Sequence, residues 1–183
     1  MGRHIPHVYL PEAWDRERLH LDDKTRDHLE KVLRLGGATP VTYTDGVGAI
    51  GEGKYEAGFV ERGDEEAAVG RSHEVAIAVA PPKNLNRIRF IVEKLAELGV
   101  ARLLWLQTEY TEGRPPRADK VRAWARASLE QSRGTWLMEV GPSVTMADVA
   151  EYGRVLVADR SGSDIEAAGH FRGAVLCVGP EGG

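Results

Sequence analysis

The sequence predicts an α/β protein: a parallel sheet over residues 73–183, preceded by a small β-rich barrel unit over residues 1–72. Three observations carry this. Residues 75–80, 103–106, 155–158 and 174–178 are short, nearly continuous apolar runs, as in strands buried on both faces. Segments with apolar residues at helical spacing lie among them, so strand and helix alternate. Before residue 73 the pattern changes to short alternating segments separated by turn residues.

The elements follow in order. His7-Val8-Tyr9-Leu10 reads as a short strand. Asp22 and Asp23 can cap a helix running to about Leu35, with Leu29, Val32 and Leu33 as its apolar stripe. Gly36-Gly37 is expected to end it, since glycine accepts the left-handed conformation of a helix terminus. Val41-Thr42-Tyr43-Thr44 is strand-like, Asp45-Gly46 signals a turn, and Tyr55, Ala57 and Phe59 alternate in a further strand. A boundary is expected near residues 70–73. After the strand at 75–80, Pro81-Pro82 breaks the chain. Asn84 then caps a helix with Ile88, Ile91, Val92, Leu95 and Leu98 on one face, stopped by Gly99. Leu103-Leu104-Trp105-Leu106 is the next strand. A polar loop with Gly113, Pro115 and Pro116 leads to a helix whose inner face carries Val121, Trp124, Ala125, Ser128 and Leu129. Thr145 can cap a short helix through Val149 before the two last strands.

Apolar residues make up 42% and charged residues 28% of the 183, a composition that excludes wholesale disorder. No apolar run is long enough to span a bilayer, and the start shows no signal-peptide core. The single cysteine, Cys177, excludes an internal disulfide framework and a cysteine-based zinc site; its place in an apolar strand suits a small core residue. The expectation is a soluble cytoplasmic protein. The net charge of −4 conceals a split. Residues 1–72 hold ten basic and fourteen acidic side chains, whereas residues 81–133 hold eleven basic and six acidic. The basic stretch reads either as a polyanion footprint or as solvated helix faces.

Residues 46–51 spell a dinucleotide-binding fingerprint, but a strand pattern follows where that motif needs a helix, so they read as a hairpin loop. His4 and His7 have no completing ligand set, and no metal site is predicted. Val178-Gly179-Pro180-Glu181-Gly182-Gly183 is more informative. It follows an apolar strand directly, and in open α/β sheets ligands bind beyond the carboxyl ends of strands. Such a side-chain-poor loop lets a flat ligand reach the backbone; a plain turn is the other reading.

That loop resembles the hallmark of the ribosomal RNA small-subunit methyltransferase E family, within the SPOUT superfamily of knotted methyltransferases. Three further segments are similar to the family's motifs. These are Lys94-Leu95-Ala96-Glu97-Leu98-Gly99-Val100, preceded by Lys83 and Arg87; Glu130-Gln131-Ser132-Arg133; and His28-Leu29 with Val32-Leu33-Arg34-Leu35 and Asp45-Gly46. They occur in the family's order across the whole chain. The chain departs from the pattern at Gly134, Met138 and Glu109-Tyr110-Thr111. The family also continues past the position of Gly183 with elements that complete the knot and close the donor pocket. An incomplete knot and weak donor binding are therefore expected of this stretch.

The resemblance implies a knotted parallel sheet behind a PUA-like RNA-binding domain (1–72 and 73–183), S-adenosylmethionine as methyl donor, and N3-methylation of a uridine in 16S rRNA. It implies a homodimer and the small ribosomal subunit as partner. A non-catalytic RNA-binding protein, or an enzyme of the superfamily acting on another RNA such as tRNA, are the rival readings. The implied donor contacts are Leu156, Val157, Ala158, Asp159, Val178, Gly179, Pro180, Glu181, Gly182 and Gly183. Arg133 is the candidate for stabilising charge on the uracil and Gln131 for orienting it, with helix-end capping and RNA backbone contact as the other reading of both. Glu97 and Glu130 read as structural partners of basic neighbours. Arg3, Arg34, Lys83, Arg87, Lys94 and Arg114 are candidate phosphate contacts.

Overall fold

A computed structural model describes residues 5–12, 14–67, 70, 74–157, 161–164, 166, 169 and 173–180. The chain divides into two compact units. One comprises Met1–Gly70 and the returning segment Leu129–Trp136; the other comprises Arg71–Ser128 and Leu137–Gly183.

The first unit is a five-stranded sheet of β1 (His7–Tyr9), β2 (Arg18–His20), β3 (Thr39–Thr44), β4 (Ala49–Glu56) and β5 (Phe59–Ala67), in the order β1-β3-β4-β5-β2. Only the β1–β3 pair is parallel. Among the described residues β1 and β2 are the end strands of this sheet. Its core gathers Val8, Leu19, Leu29, Val41, Tyr43, Tyr55 and Val60.

Between β2 and β3 lies α1 (Asp23–Asp27), capped by Asp22, whose carboxylate accepts from the Thr25 N–H at 2.6 Å. The helix then widens into a π turn over His28–Val32. The i→i+5 turn carries later residues off the α-helical stripe. Leu29 is buried, but Val32 and Leu33 are exposed, contrary to expectation. The turn also ends before the glycines: Arg34 itself takes the left-handed conformation at φ +53°. The expected strand through Tyr55, Ala57 and Phe59 is two strands. Ala57 and Gly58, at φ +48° and +87°, form a tight hairpin between β4 and β5, the pattern of a type I′ turn.

The second unit is a wholly parallel sheet of β6 (Glu74–Val79), β7 (Arg102–Gln107), β8 (Glu139–Thr145), β9 (Arg154–Val157) and β10 (Gly173–Val178), in the order β8-β7-β6-β10-β9. All four predicted strands lie in it. The fifth, β8, escaped the sequence reading because Gly141 and Pro142 interrupt its apolar pattern. As an edge strand it tolerates the proline's missing donor. Side chains alternate between the two faces. Ile77, Val79, Leu103 and Trp105 pack with Ile88, Val92, Val121 and Ala125 on one side. Ala76, Ala78, Leu104, Leu106, Val175 and Cys177 pack with Val144 and Val149 on the other. Both faces are covered, which is why the strands read as continuous apolar runs.

Helix α2 (Leu85–Glu97) follows β6 and is capped by Asn84, whose side chain accepts from the N–H groups of Asn86 and Arg87. Gly99 takes φ +74° behind it. Leu98 sits at the cap and is exposed rather than on the buried stripe. α3 (Ala118–Ser132) buries Val121, Ala125, Ser128 and Leu129. Thr145 ends β8 instead of capping a helix. Its N–H and hydroxyl both donate to Asp148, and a 3-10 turn over Val149–Tyr152 follows. These bonds hold the Asp148 carboxyl below the usual carboxylate range. Among the described residues, no helix is long and apolar enough to cross a membrane.

Candidate functional site

The parallel sheet dictates where a ligand can reach the second unit. From β6 the chain moves outward through β7 to β8, then returns to the opposite side of β6 as β9 and β10. The order reverses between β6 and β10, and the crevice beyond the carboxyl ends at such a point receives ligands. The two strands remain bonded to their ends, where the Ala80 N–H donates to the Val178 carbonyl at 3.0 Å. Beyond that bond, Gly179 is exposed and Pro180 half-buried.

Beside it, Val157 ends β9, with Cys177 of β10 as the register partner. Val157 is 61% exposed and Val178 42%. Val157 lies on the Cys177 face and Val178 on the opposite one, so these neighbouring strand ends, followed by a glycine and a proline, leave a surface poor in side chains, with one exposed apolar residue on each face and backbone polar groups between them. Such a surface suits the flat apolar faces and polar edges of an adenosyl group. Leu156 is half-buried behind it. Of the other sequence-predicted donor contacts, Ala158, Asp159, Glu181, Gly182 and Gly183 lie outside the described residues.

The loops after β6 and β7 meet at the same end of the sheet. A Cβ on Gly113 would overlap the Pro81 carbonyl oxygen, so only glycine permits the contact. Lys83 and Glu112 form an exposed ion pair across these loops at 2.7 Å. Lys83, Arg87 in the first turn of α2, and Arg114 are exposed here. Lys94 lies elsewhere: seven residues beyond Arg87 puts it about 10 Å farther along the helix. There it pairs with Glu97 at 2.6 Å and lies 5.9 Å from the Phe90 ring centre. Arg34 belongs to the first unit and is exposed. Arg3 lies outside the described residues.

The segment with Gln131 and Arg133 belongs to the first unit. It runs along β1, whose other edge pairs with β3. The Tyr9 N–H donates to Glu130 Oε1 at 3.1 Å, and Arg133 Nη2 donates to the Ile5 carbonyl at 2.8 Å. Glu130 thus receives a backbone donor, rather than serving only a basic neighbour. Arg133 holds a left-handed backbone at φ +56°. The side chain of Gln131 is exposed.

The fingerprint-like loop is engaged in the same unit. The Gly48 N–H donates to the Thr135 carbonyl at 2.9 Å, and a Cβ on Gly48 would clash with the Trp136 ring. That glycine serves side-chain packing, not a phosphate. Sequence reasoning gave no role to His7 beyond the metal question. The residue is 7% exposed, with Nδ1 2.8 Å from Thr42 Oγ1 and Nε2 3.1 Å from the Gly134 carbonyl. A histidine inside a short edge strand carries no sequence signal for such a long-range bond.

Residues 70–183 match a family described as RNA methyltransferase domain. No curated protein matches the chain. Solved structures of similar fold include a ribosomal RNA small subunit methyltransferase E from Neisseria gonorrhoeae bound to S-adenosyl methionine. It is 22% identical over 98% of this chain and 81% of its own, with a TM-score of 0.84. A provisionally named methyltransferase from Legionella pneumophila, solved with bound SAM, is 21% identical over 99% and 82%, also at 0.84. A provisionally named rRNA methyltransferase from Porphyromonas gingivalis is 22% identical over 97% and 81%, at 0.78.

Proposed function

The chain belongs to the RNA methyltransferase family, of the small-subunit methyltransferase E type that its motifs resemble, and from that premise we propose that it methylates N3 of a uridine in 16S rRNA with S-adenosylmethionine as donor. The observation that carries the reading is the side-chain-poor end of β9 and β10 beside the sheet's switch point, within the matched residues. The Neisseria and Legionella structures, both solved with the donor, support its identity. Leu156, Val157, Val178, Gly179 and Pro180 would hold it, with residues 158–159 and 181–183 completing the set.

Bound there, S-adenosylmethionine supplies a methyl group already made electrophilic by its sulfonium. The chain's own residues then mainly need to align the nucleophile, which can supply about 7–11 kcal/mol of the barrier. The uracil N3 must lose a proton, so the developing negative charge needs a partner. We assign that role to the Arg133 guanidinium and the orienting of the base to the Gln131 amide. Lys83, Arg87 and Arg114, exposed at the carboxyl end of the second unit's sheet, contact RNA phosphates, as do Arg34, Lys94 and Arg3. A target base paired in a helix must be flipped out to react. The first unit acts as a PUA-like RNA-binding domain and the second as a knotted methyltransferase domain. The protein works as a cytoplasmic homodimer on the small ribosomal subunit during its biogenesis.

Isothermal titration of the full-length protein with S-adenosylmethionine tests the donor site. We expect saturable binding that weakens at least tenfold on Val178→Asp, which places a charge at the end of β10. Absence of binding by the full-length protein, or equal binding by the variant, contradicts the assignment.

A further inference from the structure

The segment carrying Gln131 and Arg133 is fastened at three points, two on β1 and one just before it. Ile5 offers its carbonyl to Arg133, Tyr9 its N–H to Glu130, and His7 between them its ring to Gly134. The first two use backbone groups, whereas the third uses a buried imidazole. A carbonyl oxygen only accepts, so Nε2 bears the proton and Nδ1 accepts from the Thr42 hydroxyl. Two opposed bonds fix the ring plane and, through it, the Gly134 carbonyl. That carbonyl follows the left-handed residue Arg133, whose backbone is costly unless its surroundings hold it.

We propose that His7 is a positioning residue for methyl transfer: its neutral, Nε2-protonated ring pins the Gly134 carbonyl and thereby sets the turn that presents Gln131 and Arg133. The inference rests on the reading of those two residues as the ones that act on the uridine. Burial, foremost, holds the ring's pKa below its ordinary 6.5, aided by the Arg133 charge and opposed by the Gly134 hydrogen bond and Glu130. Protonation would make both ring nitrogens donors. The Thr42 hydroxyl would then have to turn its proton toward the Pro6 carbonyl, 3.5 Å away, a poor bond. The sign follows. The folded pKa lies below the unfolded one, so His7 contributes stability that is present above about pH 6.5 and lost as pH falls through the folded value.

Four variants of the full-length protein decide the matter: His7→Gln, His7→Asn, Thr42→Val and Arg133→Ala. A glutamine amide reaches the Nε2 position and can still donate to Gly134, whereas the shorter asparagine reaches only toward Thr42. Single-turnover transfer from tritiated S-adenosylmethionine to unmodified small subunits is expected to fall at least tenfold in His7→Asn. It should recover to within about threefold of wild type in His7→Gln, with donor affinity unchanged in both. Trypsin should cleave the Arg133–Gly134 bond faster in His7→Asn and Thr42→Val than in His7→Gln, a readout that needs no RNA. The wild-type rate, divided by that of His7→Gln, should hold at the ordinary imidazole value and fall only as pH drops through the ring's lower folded value. Equal rates and equal cleavage for wild type, His7→Gln and His7→Asn, with Arg133→Ala impaired, overturn the proposal alone. Full activity of Arg133→Ala overturns the catalytic reading and the proposal with it.

Discussion

At the scale of single residues, position decides which candidates can share a surface. Lys83 and Arg87 differ little in the sequence from Lys94, yet the helix axis carries Lys94 away from the strand ends. Gly113 shows the same point from the other side. It reads as a loop residue among prolines, but its missing side chain lets the loop after β7 pass over the Pro81 carbonyl. The Gly113→Ala variant is therefore expected to lose about 1–3 kcal/mol of stability, the usual cost of forcing an extra group into a filled space. Thermal unfolding of both proteins checks this, and an unchanged midpoint contradicts the close approach. Local spelling announced a turn here, whereas the partner of the turn lies some thirty residues earlier and is set only by the fold.

At the scale of elements, the sequence was most legible where one physical rule acts alone. The four apolar strands, the Asn84 cap and the Gly99 stop follow from burial and capping, and all are present. It was least legible where a second constraint competes. The π turn moves Val32 and Leu33 off the buried stripe, the edge position lets β8 contain Pro142, and a two-residue hairpin divides the strand expected through Ala57. The end of β10 and the start of the loop after it were legible because the strand is a continuous apolar run that a glycine and a proline break. The anchoring of Gln131 and Arg133 on and just before β1 was not, because it joins residues more than 120 positions apart. Two left-handed positions give a prediction at this scale. Ala57→Asn should stabilise the protein by about 0.5–1 kcal/mol, since Asn-Gly suits a turn with both central residues at positive φ. Arg34→Gly should leave stability unchanged or raised while weakening RNA binding, because it relieves backbone strain and removes a charge. Melting curves and RNA titrations of both variants test this; loss of stability in either contradicts the turn assignments.

At the scale of the whole molecule, a net charge of −4 conflicts with an RNA partner unless its basic groups are concentrated. Residues 81–133 hold eleven basic side chains against six acidic ones, and Lys83, Arg87 and Arg114 are exposed near the parallel sheet's carboxyl end. If Arg87 contacts a phosphate, Arg87→Ala should lower the slope of log K against log salt by up to about one unit while leaving donor affinity unchanged. An unchanged slope removes that contact from the account. The central claim concerns the reaction itself, and nucleoside mass spectrometry of 16S rRNA tests it most directly. RNA from cells lacking this gene should lack one N3-methyluridine that wild-type RNA carries, and purified protein with S-adenosylmethionine should restore it on small subunits from those cells. An unchanged set of modified nucleosides in 16S rRNA after deletion, with a loss appearing in tRNA or nowhere, would contradict it.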